Sequence, residues 1–212
     1  MDTIEIEPEQ GIGTIKLGMS RDEVEECIRQ YASRYECRDD ISFDFSSYFM
    51  PEYDSNDRLI ALQMINDVKE HAHCLCHGIH VFRTKADDLV EALDRMSRYS
   101  RTWDASAGFC YLFPEIGLTL YRSRVFTEKD LEEEWFLAQS LDAQEDDKRF
   151  LYFETVSVCE LSYYETLNDL QKTESTIIPA NEPEPALEEA PASGAKSSEE
   201  LILELKRKHG LI

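Results

Sequence analysis

No run of apolar residues in this 212-residue chain approaches the roughly 20 that a membrane-spanning helix needs, so the sequence excludes an integral helical membrane protein. Basic residues are the scarce class. Lys and Arg number 22 against 44 Asp and Glu, for a net charge of −22 at pH 7. Such a chain repels nucleic acid and anionic membrane, and attracts basic surfaces. The same charge also serves plain solubility. Phosphate-binding signatures are missing: neither G-x-x-x-x-G-K-[ST] nor a full G-x-G-x-x-G occurs, and Gly11, Gly13 and Gly18 read as turn residues around a short strand. G-x-S-x-G is absent as well, and histidines crowded into two places offer poor material for a nucleophilic triad. No enzyme and no cofactor is expected. Met1 to Pro8 carries no basic region, apolar stretch or small-residue cleavage site, so no secretory signal is expected. The six cysteines are scattered rather than framed as a disulfide scaffold, which points to free thiols in a reduced, cytoplasmic setting.

What the chain does have is an internal repeat. Residues 11–28 read as a short β-prone run, a Ser cap and a helix with apolar residues at helical spacing, and residues 78–93 repeat that plan. With one inserted residue, Ile15 aligns with Ile79, Leu17 with Val81, Val24 with Leu89 and Ile28 with Leu93. Ser20 and Glu23 form an S-x-x-E capping box in the first copy, and Thr84 and Asp87 take the same places in the second.

The copies define two units, 1–66 and 67–172. In the first, a helix from Arg21 to about Arg34 is followed by β-prone runs at 41–49 and 59–65, with a turn-rich stretch between Pro51 and Asp57. In the second, a helix over Lys85–Tyr99 precedes a hairpin, Gly108–Phe113 and Leu118–Arg122, turning through Pro114 to Gly117. An acidic helix is expected over Glu128–Ala143 and a buried strand over Arg149–Cys159. From Thr173 the composition turns to Pro, Glu, Ala and Ser, so 173–196 reads as a disordered linker. Residues 197–212 carry a Ser cap, acidic residues first, basic residues last and a terminal Gly, the signals of a short helix on a tether.

Two side-chain clusters stand out. His71, His73, Cys74, Cys76, His77 and His80 lie within ten residues, but their spacing matches none of the usual zinc arrangements, so no metal is expected. A linking segment entering a strand, with cysteines packed as small apolar residues, accounts for them. The second cluster is acidic and aromatic: Asp130, Glu132, Glu133, Glu134 and Trp135, followed by Asp146 and Asp147. It reads either as a surface for a basic partner with Trp135 and Phe136 as anchors, or as a solvated helix face with its aromatics turned into the core. Leu201 and Leu205 of the tail helix are further candidate contacts.

The segment Ile15-Lys-Leu-Gly-Met-Ser-Arg-Asp-Glu-Val24 resembles the strand-and-helix opening of small α+β units found in outer-membrane assembly lipoproteins of the SmpA/OmlA type and, as tandem copies, in β-lactamase inhibitor protein. The Tyr111–Tyr121 hairpin resembles bacterial proteins of the same group, some like toxin-immunity proteins. The resemblance implies an α+β fold: two tandem helix-plus-antiparallel-sheet units forming one continuous sheet, its open face available to a protein. It implies no catalytic residue, because these relatives are binders. Lacking a signal and a lipidated cysteine, the chain departs from the lipoproteins. Repeat, charge and resemblance together lead to an expected cytoplasmic immunity protein or inhibitor that covers a basic toxin such as a nuclease. The alternative is an adaptor docking a partner through the tethered C-terminal helix. Nothing in the sequence sets the oligomeric state.

Overall fold

Thr3 and Glu5 alternate with Ile4 and Ile6, and this period of two makes Asp2–Glu7 (β1) a strand with one buried and one solvent face. The computed structural model describes residues 2–35 and 45–163, and every element below lies in one unit bounded by Met1 and Lys172. After β1 come β2 (Gly11–Ile12), β3 (Ile15–Lys16), α1 (Arg21–Tyr35), β4 (Phe49–Tyr53) and β5 (Leu59–Ile65). The second half supplies β6 (Ala72–Cys76), β7 (Ile79–His80), α2 (Ala86–Asp94), α3 (Trp103–Ala107), β8 (Cys110–Phe113) and β9 (Leu118–Tyr121). Last come α4 (Glu134–Leu137), α5 (Leu141–Lys148) and β10 (Thr155–Cys159).

The fold is α+β, as expected, but the strands form two separate sheets rather than one continuous sheet. The first has the order β3-β2-β1-β6-β7, the second β4-β5-β10-β9-β8. Each sheet takes strands from both copies of the repeat. The first strands of the two units meet where β1 runs parallel to β6, with Ile4 opposite Cys74 and Ile6 opposite Cys76. In each copy the helix then carries the chain away to the second sheet, and this crossover is why the sheets are distinct. There the two hairpins, β4–β5 and β8–β9, flank β10, which pairs antiparallel with β5 on one side and β9 on the other. Main-chain hydrogen bonds join the segment after β3 to β5. The Gly18 N–H donates to the Leu59 carbonyl and the Leu59 N–H to the Met19 carbonyl, each at 2.8 Å, beside a Ser20–Arg58 bridge.

One core lies behind both sheets. Val24, Ile28 and Tyr31 of α1 and Leu89, Val90 and Leu93 of α2 pack with Ile4, Ile6, Leu62, Met64, Val156 and Val158. Each fully buried aliphatic side chain there contributes about 1.5–3 kcal/mol of transfer free energy. The Tyr31 hydroxyl accepts the Thr14 N–H at 2.9 Å, and Gly13, at φ 57°, lies so close to that hydroxyl that any Cβ would overlap it. The first predicted cap is made: the Glu23 carboxylate accepts both the Ser20 N–H and the Ser20 hydroxyl at 2.8 Å. Its counterpart is not. Lys85 is the N-cap of α2 without a side-chain bond, while Asp87 faces the Arg122 guanidinium at 3.7 Å.

Several boundaries differ from expectation. Phe45–Tyr48 is a 3₁₀ turn, and the strand begins at Phe49 and runs through Pro51, which an edge position tolerates. Residues 41–44 of the expected strand lie outside the described residues. α2 stops at Asp94, whose carboxylate reaches forward to receive the Tyr99 N–H and the guanidinium groups of Arg98 and Arg101. The acidic helix is split. Glu133 is extended, and Ser140 caps a fresh helix by accepting the Ala143 N–H. Only Thr155–Cys159 of the expected final strand pairs, since Arg149–Leu151 is a 3₁₀ turn. The expected linker at 173–196 and tail helix at 197–212 lie outside the described residues.

Candidate protein-interaction surface

Between β9 and β10 the chain makes a satellite of short helices with its own small core of Phe126, Phe136, Phe150 and Leu151. Three cations fasten it. Arg122, only 2% exposed, donates from Nε to the Gly108 carbonyl at 2.8 Å and from Nη1 to the carbonyls of Phe126 and Phe150 at 3.3 and 3.1 Å. One buried guanidinium thus satisfies three backbone acceptors from three segments. Arg124 pairs with Asp147, and Lys85 of α2 with Glu128.

The candidate residues separate into two groups. Phe136 is buried, whereas Trp135 stays 44% exposed, its ring set edge-on against Phe126 at 6.1 Å. The sequence allowed an anchoring or a core role for this aromatic pair; the structure buries Phe136 and leaves Trp135 partly exposed. Leu137 and Leu141 are 62% and 78% exposed. Glu132, Glu133, Glu134, Asp142, Glu145 and Asp146 are exposed around them in the chain. Three exposed apolar side chains thus lie along a carboxylate-rich stretch of the chain. Asp147, read from sequence with this surface, is turned inward. It is 6% exposed, held by Arg124 and by the Gln139 amide at 3.0 Å, because a carboxylate leaving water needs such partners. Asp130 is also occupied: hydrogen bonds from Thr127, hydroxyl and backbone N–H at 2.7 Å, hold its carboxyl below the usual range. Leu201 and Leu205 lie outside the described residues. The sequence gives Leu137 to the apolar contacts of this segment and does not single out Leu141, since a leucine on an acidic helix ordinarily marks its buried side; both are exposed.

The histidine cluster is dispersed. His71 packs among Tyr35, Phe45 and Tyr48. Cys74 and Cys76 face the core, where burial pushes both thiols up to about 12, far from the thiolate form a metal requires. His77 occupies the β6–β7 turn at φ 50°, followed by Gly78 at φ 78°. This pair of positive φ values is that of a two-residue hairpin turn. Only His73 and His80 meet, Nδ1 to Nε2 at 2.7 Å. Among the described residues no three His, Cys, Asp or Glu side chains converge on a metal-sized site. No described helix is long and apolar enough to cross a membrane.

A groove of about 330 Å³ runs between β1 and α1, with Thr3 and Glu5 on one wall and Gln30 and Arg34 on the other. It carries both charge signs and none of the candidate residues. Compared with known proteins, the chain matches no family model, no curated sequence and no solved structure.

Proposed function

We propose that the protein is a non-enzymatic binder, a cytoplasmic immunity-type inhibitor that occludes a basic toxin with the acidic stretch of its satellite. The reading rests on one observation above the others. Trp135, Leu137 and Leu141 stand exposed among carboxylates, while Phe136 and Asp147 hold the same segment down from within. A desolvated aromatic or aliphatic centre inside a charged rim is the usual anatomy of a tight interface. In this arrangement the carboxylates stand in for the phosphates of the toxin's own substrate and speed encounter with its basic cleft. The exposed apolar side chains then slow dissociation.

The test is capture from the native host with tagged protein at low and high salt, followed by reconstitution of the complex and assay of the partner's toxicity. A stoichiometric basic partner whose toxicity the protein abolishes is the expected result. Glu132→Gln, Glu133→Gln and Glu134→Gln together should slow association and flatten its salt dependence. Trp135→Ala should speed dissociation, weakening binding by about 2 kcal/mol. A partner bound equally well by both variants would place the interface elsewhere. Neutralisation lost only on deleting residues 174–212 would favour the adaptor reading with its tethered segment.

A further inference from the structure

Cross-strand pairing brings His73 and His80 together at a place independent of the acidic satellite. In the β6–β7 hairpin Leu75 is opposite His80 and Cys76 opposite Ile79, so His73, Leu75 and His80 share the face turned away from the core. The His73 and His80 rings lie nearly perpendicular, centroids 4.9 Å apart, and His73 Nδ1 meets His80 Nε2 at 2.7 Å. One hydrogen bond of this kind needs a proton on one nitrogen and a lone pair on the other. On the far side of its ring, His80 Nδ1 is buried without a partner.

We propose that the His73–His80 contact is an acid-sensitive latch that holds the edge strand β7 on the first sheet and releases it on double protonation. The first proton is accommodated, because a charged His73 still donates from Nδ1 to a neutral His80. The second is not. Added at His80 Nε2, it removes the only acceptor in the contact and sets two imidazolium rings against each other, while the Nδ1–H that the accepting tautomer already carried stays buried with nothing to receive it. The groups around His80 reinforce this. His73 comes from β6 and Arg83 from the segment after β7, both cationic or able to become so; Glu5 of β1 shares the face but sits across Leu75. Burial first, then His73 and Arg83, hold the His80 pKa below the ordinary histidine value. A depressed folded-state value gives stability that is complete above the unfolded value of about 6.5 and is lost as pH falls from there. The latch restrains little: β7 has two residues and two ladder pairs at a sheet edge, continued by the Val81 N–H to the Cys74 carbonyl at 2.9 Å. Local opening at that edge is cheap compared with global unfolding.

Amide hydrogen exchange on the full chain, corrected for the intrinsic pH dependence of exchange, reads this directly. Protection of Val81 should fall at least about tenfold between pH 7.5 and 5, equivalent to about 1.4 kcal/mol of local stability, while amides of the second sheet hold theirs. His80→Gln, which cannot take the second charge, should show no such fall. Ring ¹⁵N shifts of the unmutated protein provide a readout that needs no variant, with His80 titrating below free histidine. Unchanged Val81 protection, an equal fall in His80→Gln, or an unshifted His80 titration would each overturn the proposal.

Discussion

At the scale of the single residue, Asp94 sits at the end of a helix and gathers the residues that follow it. It accepts Arg101 at 2.9 Å, Arg98 at 2.8 Å and the Tyr99 N–H at 3.2 Å, while the Arg101 guanidinium also lies 3.4 Å over the Tyr99 ring. Arg101 foremost, helped by the Tyr99 N–H and Arg98, drives its pKa down to about 2. The folded-state value lies below the unfolded one, so the stabilisation is present above about pH 4 and drains away as pH falls towards 2. Asp94→Asn should therefore lower the urea midpoint at neutral pH and make the midpoint less dependent on acid over that window. A variant with the unaltered acid profile would show that the cluster adds nothing to folding. None of this was legible beforehand. The sequence extended the helix to Tyr99, because Arg95, Arg98 and Tyr99 continue the pattern and nothing local announces that Asp94 will reach forward.

At the scale of the element, the satellite between β9 and β10 hangs on Arg122. Replacing it with Met keeps much of the volume but leaves the carbonyls of Gly108, Phe126 and Phe150 without their donor. A cost of about 3 kcal/mol is expected, and Arg122→Lys should recover little of it, because an ammonium cannot reproduce the planar fork. Thermal denaturation gives the cost, and proteolysis between residues 123 and 154 tests whether the satellite loosens first. The elements most legible in sequence were those whose signals are local: the Ser20–Glu23 cap, the strand over Leu59–Ile65, and the hairpin turning at Gly117. Gly117 sits at φ 59° against the Cys159 carbonyl, where a Cβ has no room. The acidic segment was harder. Its composition identified it as a surface, but assigning Phe136 inward, Trp135 half outward and Asp147 to Arg124 depends on partners 9 to 23 residues away in the chain.

At the scale of the whole molecule, the repeat was visible in sequence, and its consequence for the sheets was not. Aligned copies predict matching elements; they do not say that β1 will lie beside β6, or that β10 will enter between the two hairpins. Those pairings follow from burying faces that neither copy can cover alone: Ile4 and Ile6 find Cys74 and Cys76 across a parallel ladder. A fragment of residues 1–66 should accordingly remain unfolded by circular dichroism, and mixing it with 67–172 should restore structure in both. An independently folded 1–66 would mean that the shared sheets are dispensable. The placement of β10 also governs the order of events during synthesis. The strand that joins the two hairpins is the last of the ten described strands to leave the ribosome, more than ninety residues after its neighbour β5 begins. Until then each hairpin has an unpaired edge and half a core. The nascent chain must wait through almost all of its described length before the long-range contacts that reward closure can form. During that wait its excess of carboxylates, whatever else it serves, keeps neighbouring nascent copies apart.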